Sequence, residues 1–556
     1  MRFVRRRPLI AAAVASVALI AGDATAIAQA VRNAAAVVRS YDGLYNNIAH
    51  PRWGLLGTSL LRGPSGAHYA DGRSRPAGQK RPPARQISNV IFKQQGPMPN
   101  AAGLSDYIWT WGQFLDHDMS LSIAPHGSQP IPIPAFDPEF DPAGTGTQTI
   151  LFRRTFFNPL TGGTGPREQL NLISSYIDGS MVYGTEPYRA RWLRTLVGGE
   201  LKVTPTPVGD LLPYNDGKQL NAGNPEQVSY SKMLFVAGDI RANEQPTLAA
   251  IQTVFVREHN FQARRIREAQ PELRDEQIYQ QARRIVIAEI QHITYDEFLP
   301  ALLGTGGLGP DPGYDINANA GVSIVFSTAG FRLGHTLLSP NLLRLQEDGT
   351  PSARGPLALR DAFFEPTPPI LASEGVEPIL RGLAAQAAQE LDDKVIDDVR
   401  SFLFGKPGAG GLDLISLNIQ RGREMGLPDF NTVRADFGLP RKTTFAAITS
   451  DPQKAATLER LYGDVNDIDP FVGFLTEDRV PGSLVGDTLR TVLVDQFSRS
   501  RAGDRFWYER ALDSADLERV RSTRLSDIVL RNTTIRAIQP NAFFIGPSQG
   551  TTPTTR

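Results

Sequence analysis

Trp109-Thr-Trp-Gly-Gln-Phe-Leu-Asp-His-Asp-Met119 is the stretch on which the reading of this chain turns. It reads as a helix, with Ser105 as the N-cap and an end near Ser120. On that helix Gln113, Asp116 and His117 fall on one face, because residues three and four apart are neighbours. Asp118 points about 100° away from His117, since a helix turns once every 3.6 residues. One face therefore offers an imidazole for acid–base work with polar neighbours. The adjacent face offers a carboxylate for another purpose. A surface ion pair is an alternative reading of such a His–Asp pair.

The next informative stretch is Ser174-Ser-Tyr-Ile-Asp-Gly-Ser-Met-Val-Tyr-Gly184. Hydroxyl and carboxylate oxygens recur at even spacing, and with backbone carbonyls they form the hard-oxygen set that calcium requires. The loop is not an EF-hand and lacks one carboxylate, which Asp118 could supply. A solvated turn fits the same spacing.

Further out, Leu248, Ile251 and Phe255 mark an amphipathic helix starting near Pro246, a favoured first-turn residue. Ile278, Ala282 and Ile285 mark another that ends near Pro300. Residues 31–100 read as an extended arm wrapped on a core, and the Pro- and Gly-rich stretch 124–170 as a long irregular loop. Strand signals are few and short. The expected fold is mainly α with long irregular loops, and no clear linker divides it. At 556 residues, length alone favours two or three domains, because one core stops growing at roughly 250–300 residues.

The 58 basic residues balance 58 acidic ones, which gives no basis for nucleic-acid binding. Arg2, Arg5, Arg6 and Arg7, the apolar run from Pro8 to Ala21 and the small residues after it read as a signal peptide over 1–30. The protein is then expected to be secreted or periplasmic, with no stable membrane anchor. The segment's four arginines and one aspartate leave the remainder near −3. The absence of cysteine excludes thiolate haem ligation, iron–sulfur clusters and cysteine zinc sites. Metal chemistry must use oxygen ligands or the seven histidines.

Trp111-Gly-Gln-Phe-Leu-Asp-His-Asp118 and Ser180-Met-Val-Tyr-Gly184 resemble the distal-helix and calcium-loop motifs of animal-type haem peroxidases, the peroxidase–cyclooxygenase superfamily. Ala237-Gly-Asp-Ile-Arg-Ala-Asn-Glu244, Arg257-Glu-His-Asn260, Arg332-Leu-Gly-His335, Asn418-Ile-Gln-Arg-Gly-Arg423 and Gly426-Leu-Pro-Asp-Phe-Asn431 continue the resemblance in order. Motifs recur from Arg39-Ser-Tyr-Asp-Gly to Asn541-Ala-Phe-Phe, and the chain is most similar in flavour to bacterial members without disulfides. The resemblance implies one large haem peroxidase domain over 31–545, with a flexible tail over 546–556.

It further implies that His335 binds the haem iron while Asn418 accepts a hydrogen bond from its other nitrogen, raising its basicity. His117 would move the peroxide proton, and Arg241 would steady the charge on the breaking O–O bond. Gln113 would hold the distal water network and border a halide position. Asp116 and Glu244 would ester-link haem b, although unlinked haem is also open. Gln245 stands where the family's myeloperoxidase branch has a methionine, so no sulfonium link is expected. Arg332 would meet a haem propionate or lie on the surface. Asp118, Ser174, Tyr176 through its carbonyl, Asp178 and Ser180 would bind Ca2+. Met425 departs from the family's histidine and puts local packing in doubt. The implied reaction reduces hydrogen peroxide and oxidises small donors such as halides, thiocyanate or phenols.

His259 and His292 read as hydrogen-bonded core histidines. Glu289-Ile-Gln-His292 has the spacing of a di-iron motif, but such sites need two copies and the chain has one. A fatty-acid oxygenase of the cyclooxygenase type lacks its tyrosine motif after His335, where Thr-Leu-Leu-Ser-Pro-Asn follows. A non-enzymatic secreted adhesion or matrix protein on the same scaffold would need none of His117, Arg241, His335 and Asn418.

Overall fold

The computed structural model describes residues 38–224 and 227–546. The chain divides into two compact units at Ser40/Tyr41, and every described helix and strand belongs to the second. The signal peptide read over 1–30, the start of the arm and the tail from 547 lie outside the described residues.

Six helices position the site: α1 (Ala84–Ile91), α2 (Tyr107–Met119), α3 (Pro246–Ala269), α4 (Asp275–Ile293), α5 (Leu414–Glu424) and α6 (Asp487–Ala502). Among the described residues the strands form four two-stranded antiparallel ladders, each of two to four residues per strand. The fold is mainly α, as its sequence patterning predicts. One hydrophobic core joins α1, α2, α3 and α5, and a smaller cluster lies between the far ends of α3 and α4.

Local chemistry explains the helix starts. α3 begins at Pro246, and the Gln245 side chain caps it by accepting from the Thr247 N–H at 2.6 Å. Asp413 caps α5 by accepting from the Ile415 and Ser416 N–H groups. α2 begins one residue later than expected, with Asp106 at the N-cap position, but Ser105 still serves its start: the Ser105 hydroxyl accepts from the Tyr107 N–H at 3.3 Å while donating to the Ala542 carbonyl at 2.5 Å.

Three other expectations change. The arm is not merely extended: it contains α1, whose Arg85 has no exposed side-chain surface. Arg85 meets Asp137 at 2.7 Å and Asp413 at 2.9 Å, fastening the arm to two distant segments. Two ladders, 126–128 with 153–154 and 131–132 with 149–150, order the stretch read as a loop. The helix expected to end near Pro300 runs on. A π-helical turn, Thr294–Phe298, follows α4, and a last α turn reaches Leu303. Pro300 falls directly after the π-helical turn, at the second residue of that last α turn. Gly304 ends it at φ +80°, and a Cβ there would collide with the Gly482 carbonyl.

Candidate haem site

Ten of the thirteen residues of α2 are buried; the other three are Gly112, Gln113 and Asp116. That stripe is the face on which helix geometry places the polar group. A Cβ on Gly112 would meet only Phe298, at 3.7 Å. The 3-10 helix Gly330–His335 packs against α2, so His117 and His335 lie on elements in direct contact.

His117 is buried, and its Nδ1 makes no hydrogen bond. Nδ1 lies 3.8 Å from Asp239, and Nε2 lies 3.5 Å from the partly exposed Glu244. Burial, helped by the charges of Arg241 and Arg332, pushes the imidazole pKa down to about 3. A neutral ring that can accept a proton follows. Arg241 donates to both Asp239 oxygens at 2.8 Å and to the Ser120 carbonyl at 2.9 Å. Its Nη1 faces Asp116 at 3.6 Å. Burial works against its charge, but Asp239, Asp116 and Glu244 outweigh burial and hold its pKa above the ordinary value. Burial would likewise raise Asp239, yet Arg241 holds it down to about 2. Glu244 has the opposite balance: burial and the nearby Asp239 and Asp116 carboxylates push it up to about 7, against Arg241.

Sequence reasoning gives Asp239 no role. The available signal is the Asp-x-Arg spacing within Ala237–Glu244, which lets a turn fold the guanidinium back onto the carboxylate. Gln113 accepts from the Gln245 amide at 2.9 Å, which ties α2 to the cap of α3.

On the other side, His335 Nδ1 lies 2.7 Å from the Asn418 amide nitrogen. The expected contact has the amide oxygen accepting; a half-turn of the amide exchanges the two atoms in the same place. Burial and the Arg332 charge push the His335 pKa down to about 3, so this ring is also neutral. Arg332 donates to the Ser327 carbonyl at 3.1 Å and bears electrostatically on both histidines. Next to His335, a Cβ on Gly334 would touch nothing within 4 Å. A neutral imidazole with one nitrogen fixed and open space at the neighbouring Gly334, on an element packed against the helix that carries Asp116 and His117, fits a haem. Met425 is buried at the end of α5, where its sulfur accepts from the Thr328 hydroxyl at 3.4 Å. It packs without disturbing Asn418's approach to His335.

Asp118 turns away from His117, as the helix geometry requires, and meets the loop at 178–180. Its oxygens accept from the Asp178 and Gly179 N–H groups at 3.1 Å and from the Ser180 hydroxyl at 2.8 Å. Burial first, then the Asp178 charge, pushes its pKa up to about 8. Ser174 and Tyr176 are buried in the same loop, where the Ser174 hydroxyl accepts from the Tyr176 N–H. Among the described residues no three His, Asp or Glu side chains group as a metal site. This oxygen set has two carboxylates, with hydroxyl and carbonyl groups for the rest.

His259 and His292 are where a core reading puts them. His259 joins the Tyr183 hydroxyl to the Gly199 carbonyl, and His292 pairs with Asp296 at 2.8 Å. Among the described residues no helix is long and apolar enough to cross a membrane.

Comparison with known proteins identifies the family. The sequence pattern described as animal haem peroxidase matches residues 38–543. Peroxinectin A of Dictyostelium discoideum is 40% identical over 517 residues, covering 91% of this chain and 95% of that protein. A human peroxidasin homolog is 34% identical over 91% of this chain, which spans only 37% of that longer protein. The solved structure of Peroxidase A from Dictyostelium discoideum superposes with a TM-score of 0.84 at 39% identity, covering 91% of this chain and 99% of that one. A rice fatty acid alpha-dioxygenase shares the fold, with a TM-score of 0.74 at 21% identity over 91% of this chain and 87% of that one. The chain belongs to the animal haem peroxidase family. It is accordingly a haem-dependent peroxidase, an oxidoreductase that uses hydrogen peroxide to oxidise small donors.

Proposed function

We propose that His117 and Arg241 handle peroxide across the haem from His335, and that the donors are halides, thiocyanate or phenols. The observation that carries this reading is the neutral His117 beside an arginine held rigidly by Asp239. Bound haem supplies the two-electron redox chemistry. His335 would hold its iron through Nε2, with Nδ1 fixed by Asn418. His117 Nε2, the ring nitrogen nearer the partly exposed Glu244, takes the proton from one peroxide oxygen and returns it to the other. Arg241 steadies the negative charge that gathers as the O–O bond breaks. Gln113 orders water beside His117, and Arg332 offers its charge to a propionate. Asp116 and Glu244 are the carboxylates for ester links.

Calcium is held by Asp118, Ser174, the Tyr176 carbonyl, Asp178 and Ser180. Two mutually destabilising buried carboxylates support this, since a cation relieves both burial and repulsion. Export follows from the basic and apolar start of the chain, outside the described residues.

The test is peroxide-dependent iodide oxidation by haem-loaded protein, with its Soret spectrum and acid–acetone extraction. Soret absorbance in the parent and iodide turnover that falls steeply in His117→Leu are expected. Turnover unchanged in that variant would overturn the proton-transfer role, and full extraction of the haem would overturn the ester links.

A further inference from the structure

Trp507 and Tyr508 lie away from the haem site, in the smaller cluster with Ile278, Ile285 and Val520. Tyr295 packs against that cluster and against the main core. It stands in the π-helical turn, whose extra residue shifts the side-chain register; such turns are frequent at functional sites. Its ring meets Trp507 at 4.7 Å between centroids, and Trp507 meets Tyr508 at 4.9 Å. Inward, Tyr295 meets Phe497 at 6.0 Å, and Phe497 meets Phe331 at 5.7 Å. Phe331 belongs to the 3-10 helix that ends on His335. A continuous file of rings thus joins the second cluster to the element carrying His335.

At their outer end Tyr295, Trp507 and Tyr508 line a crevice of about 340 Å³ with Leu299, Leu308 and a glycine-rich loop. Its size and aromatic wall suit a single-ring molecule. The Tyr508 hydroxyl lies 3.5 Å from Asp296 and 3.4 Å from His292 Nδ1, which itself meets Asp296 at 2.8 Å; the Asp296 side chain is 54% exposed. A carboxylate paired with His292 and open to water therefore stands at the phenol. Trp507 Nε1 donates to Glu509 at 3.4 Å. The haem site uses none of these groups.

We propose that this crevice is a second oxidation site, at which a single-ring phenol is oxidised through Tyr508, Trp507 and Tyr295. The proposal rests on the haem-peroxidase reading and adds where one donor class reacts. Tyr508 loses an electron inward along the rings and its phenolic proton to Asp296, leaving a neutral phenoxyl. Burial pushes the Tyr508 phenol above its ordinary value, so the proton leaves with the electron rather than before it. The bound phenol then gives Tyr508 a hydrogen atom: the donor O–H bond breaks, the Tyr508 O–H bond re-forms, and the donor departs as a phenoxyl. Asp296 releases its proton to water. Two such events supply the two electrons and two protons that convert one hydrogen peroxide to two waters. Phe497 and Phe331 are too hard to oxidise and serve only to fill the gap with packed rings.

The test uses the full, haem-loaded chain, frozen after mixing with hydrogen peroxide and read by electron paramagnetic resonance. Oxidation of p-cresol and of iodide is measured in parallel. A tyrosyl signal in the parent that is absent in Tyr508→Phe is expected, with the ratio of p-cresol to iodide turnover lowered about tenfold. Trp507→Phe leaves Tyr508 in place but removes its oxidisable neighbour, and should lower signal and ratio together. An unchanged signal and ratio in both variants overturns the proposal, as does an equal loss of iodide and p-cresol turnover in both. A parent that oxidises neither donor fails earlier, at the haem-peroxidase reading itself.

Discussion

Asp239 sets what Arg241 can do. By taking two of the guanidinium's donors it leaves Nη1 aimed across the site at Asp116. Lysine cannot reproduce that two-point grip. Arg241→Lys should therefore slow the reaction with peroxide by about 10²-fold, the scale of losing one preorganised donor, read by stopped-flow absorbance. A rate within a factor of about two of the parent would show that charge alone suffices. Gln113, Asp116 and His117 are legible as a set because a helix fixes which residues share a face. Asp239 is not, because its role depends on a turn between two residues only two apart in sequence. His335 rests on family resemblance: a short 3-10 helix with no amphipathic pattern announces nothing, and its partner Asn418 lies 83 residues away.

At the scale of elements, Arg85 explains why α1 is hidden in the sequence. An arginine in a polar-looking stretch reads as surface, yet here it is buried because two carboxylates and the Arg400 carbonyl meet it. Arg85→Ala leaves Asp137 and Asp413 buried without their cation and should cost about 3–5 kcal/mol in denaturant unfolding. A cost below about 1 kcal/mol, typical of exposed pairs, would reject the clamp. His259, between α3 and the Gly199 loop, governs acid sensitivity. Burial, with the charges of Arg194 and Arg283, lowers its pKa from 6.5 to about 4 in the folded protein. The unfolded chain then binds the proton more readily. The stability due to neutral His259 is complete above pH 6.5 and is lost as pH falls from there to about 4, on the order of 3 kcal/mol. Thermal unfolding of parent and His259→Gln should show a stability gap at pH 7 that narrows by pH 4.5; a constant gap would contradict it.

Across the whole molecule, mainly helical architecture is readable because long amphipathic helices such as α3 and α4 carry their period openly. The ladders within 126–154 are not, since strands of two or three residues are too short to show alternation. Asp118 links this scale to the site, with His117 on one side of α2 and the 174–184 loop on the other. Chelation of the proposed calcium, or Asp178→Ala, should lower both the thermal midpoint and peroxide reactivity, because the loop fixes the end of α2. Unchanged calcium content in Asp178→Ala would remove that residue from the site. The proposed site chemistry depends on a haem that His335 would hold and on peroxide handled by His117. The Soret spectrum of haem-loaded parent and His335→Ala, taken before and after hydrogen peroxide, tests that dependence without intermediate steps. The parent should show a histidine-ligated band that shifts on mixing, and the variant should lose both the ligation and the shift; an identical band and shift in His335→Ala would refute the assignment.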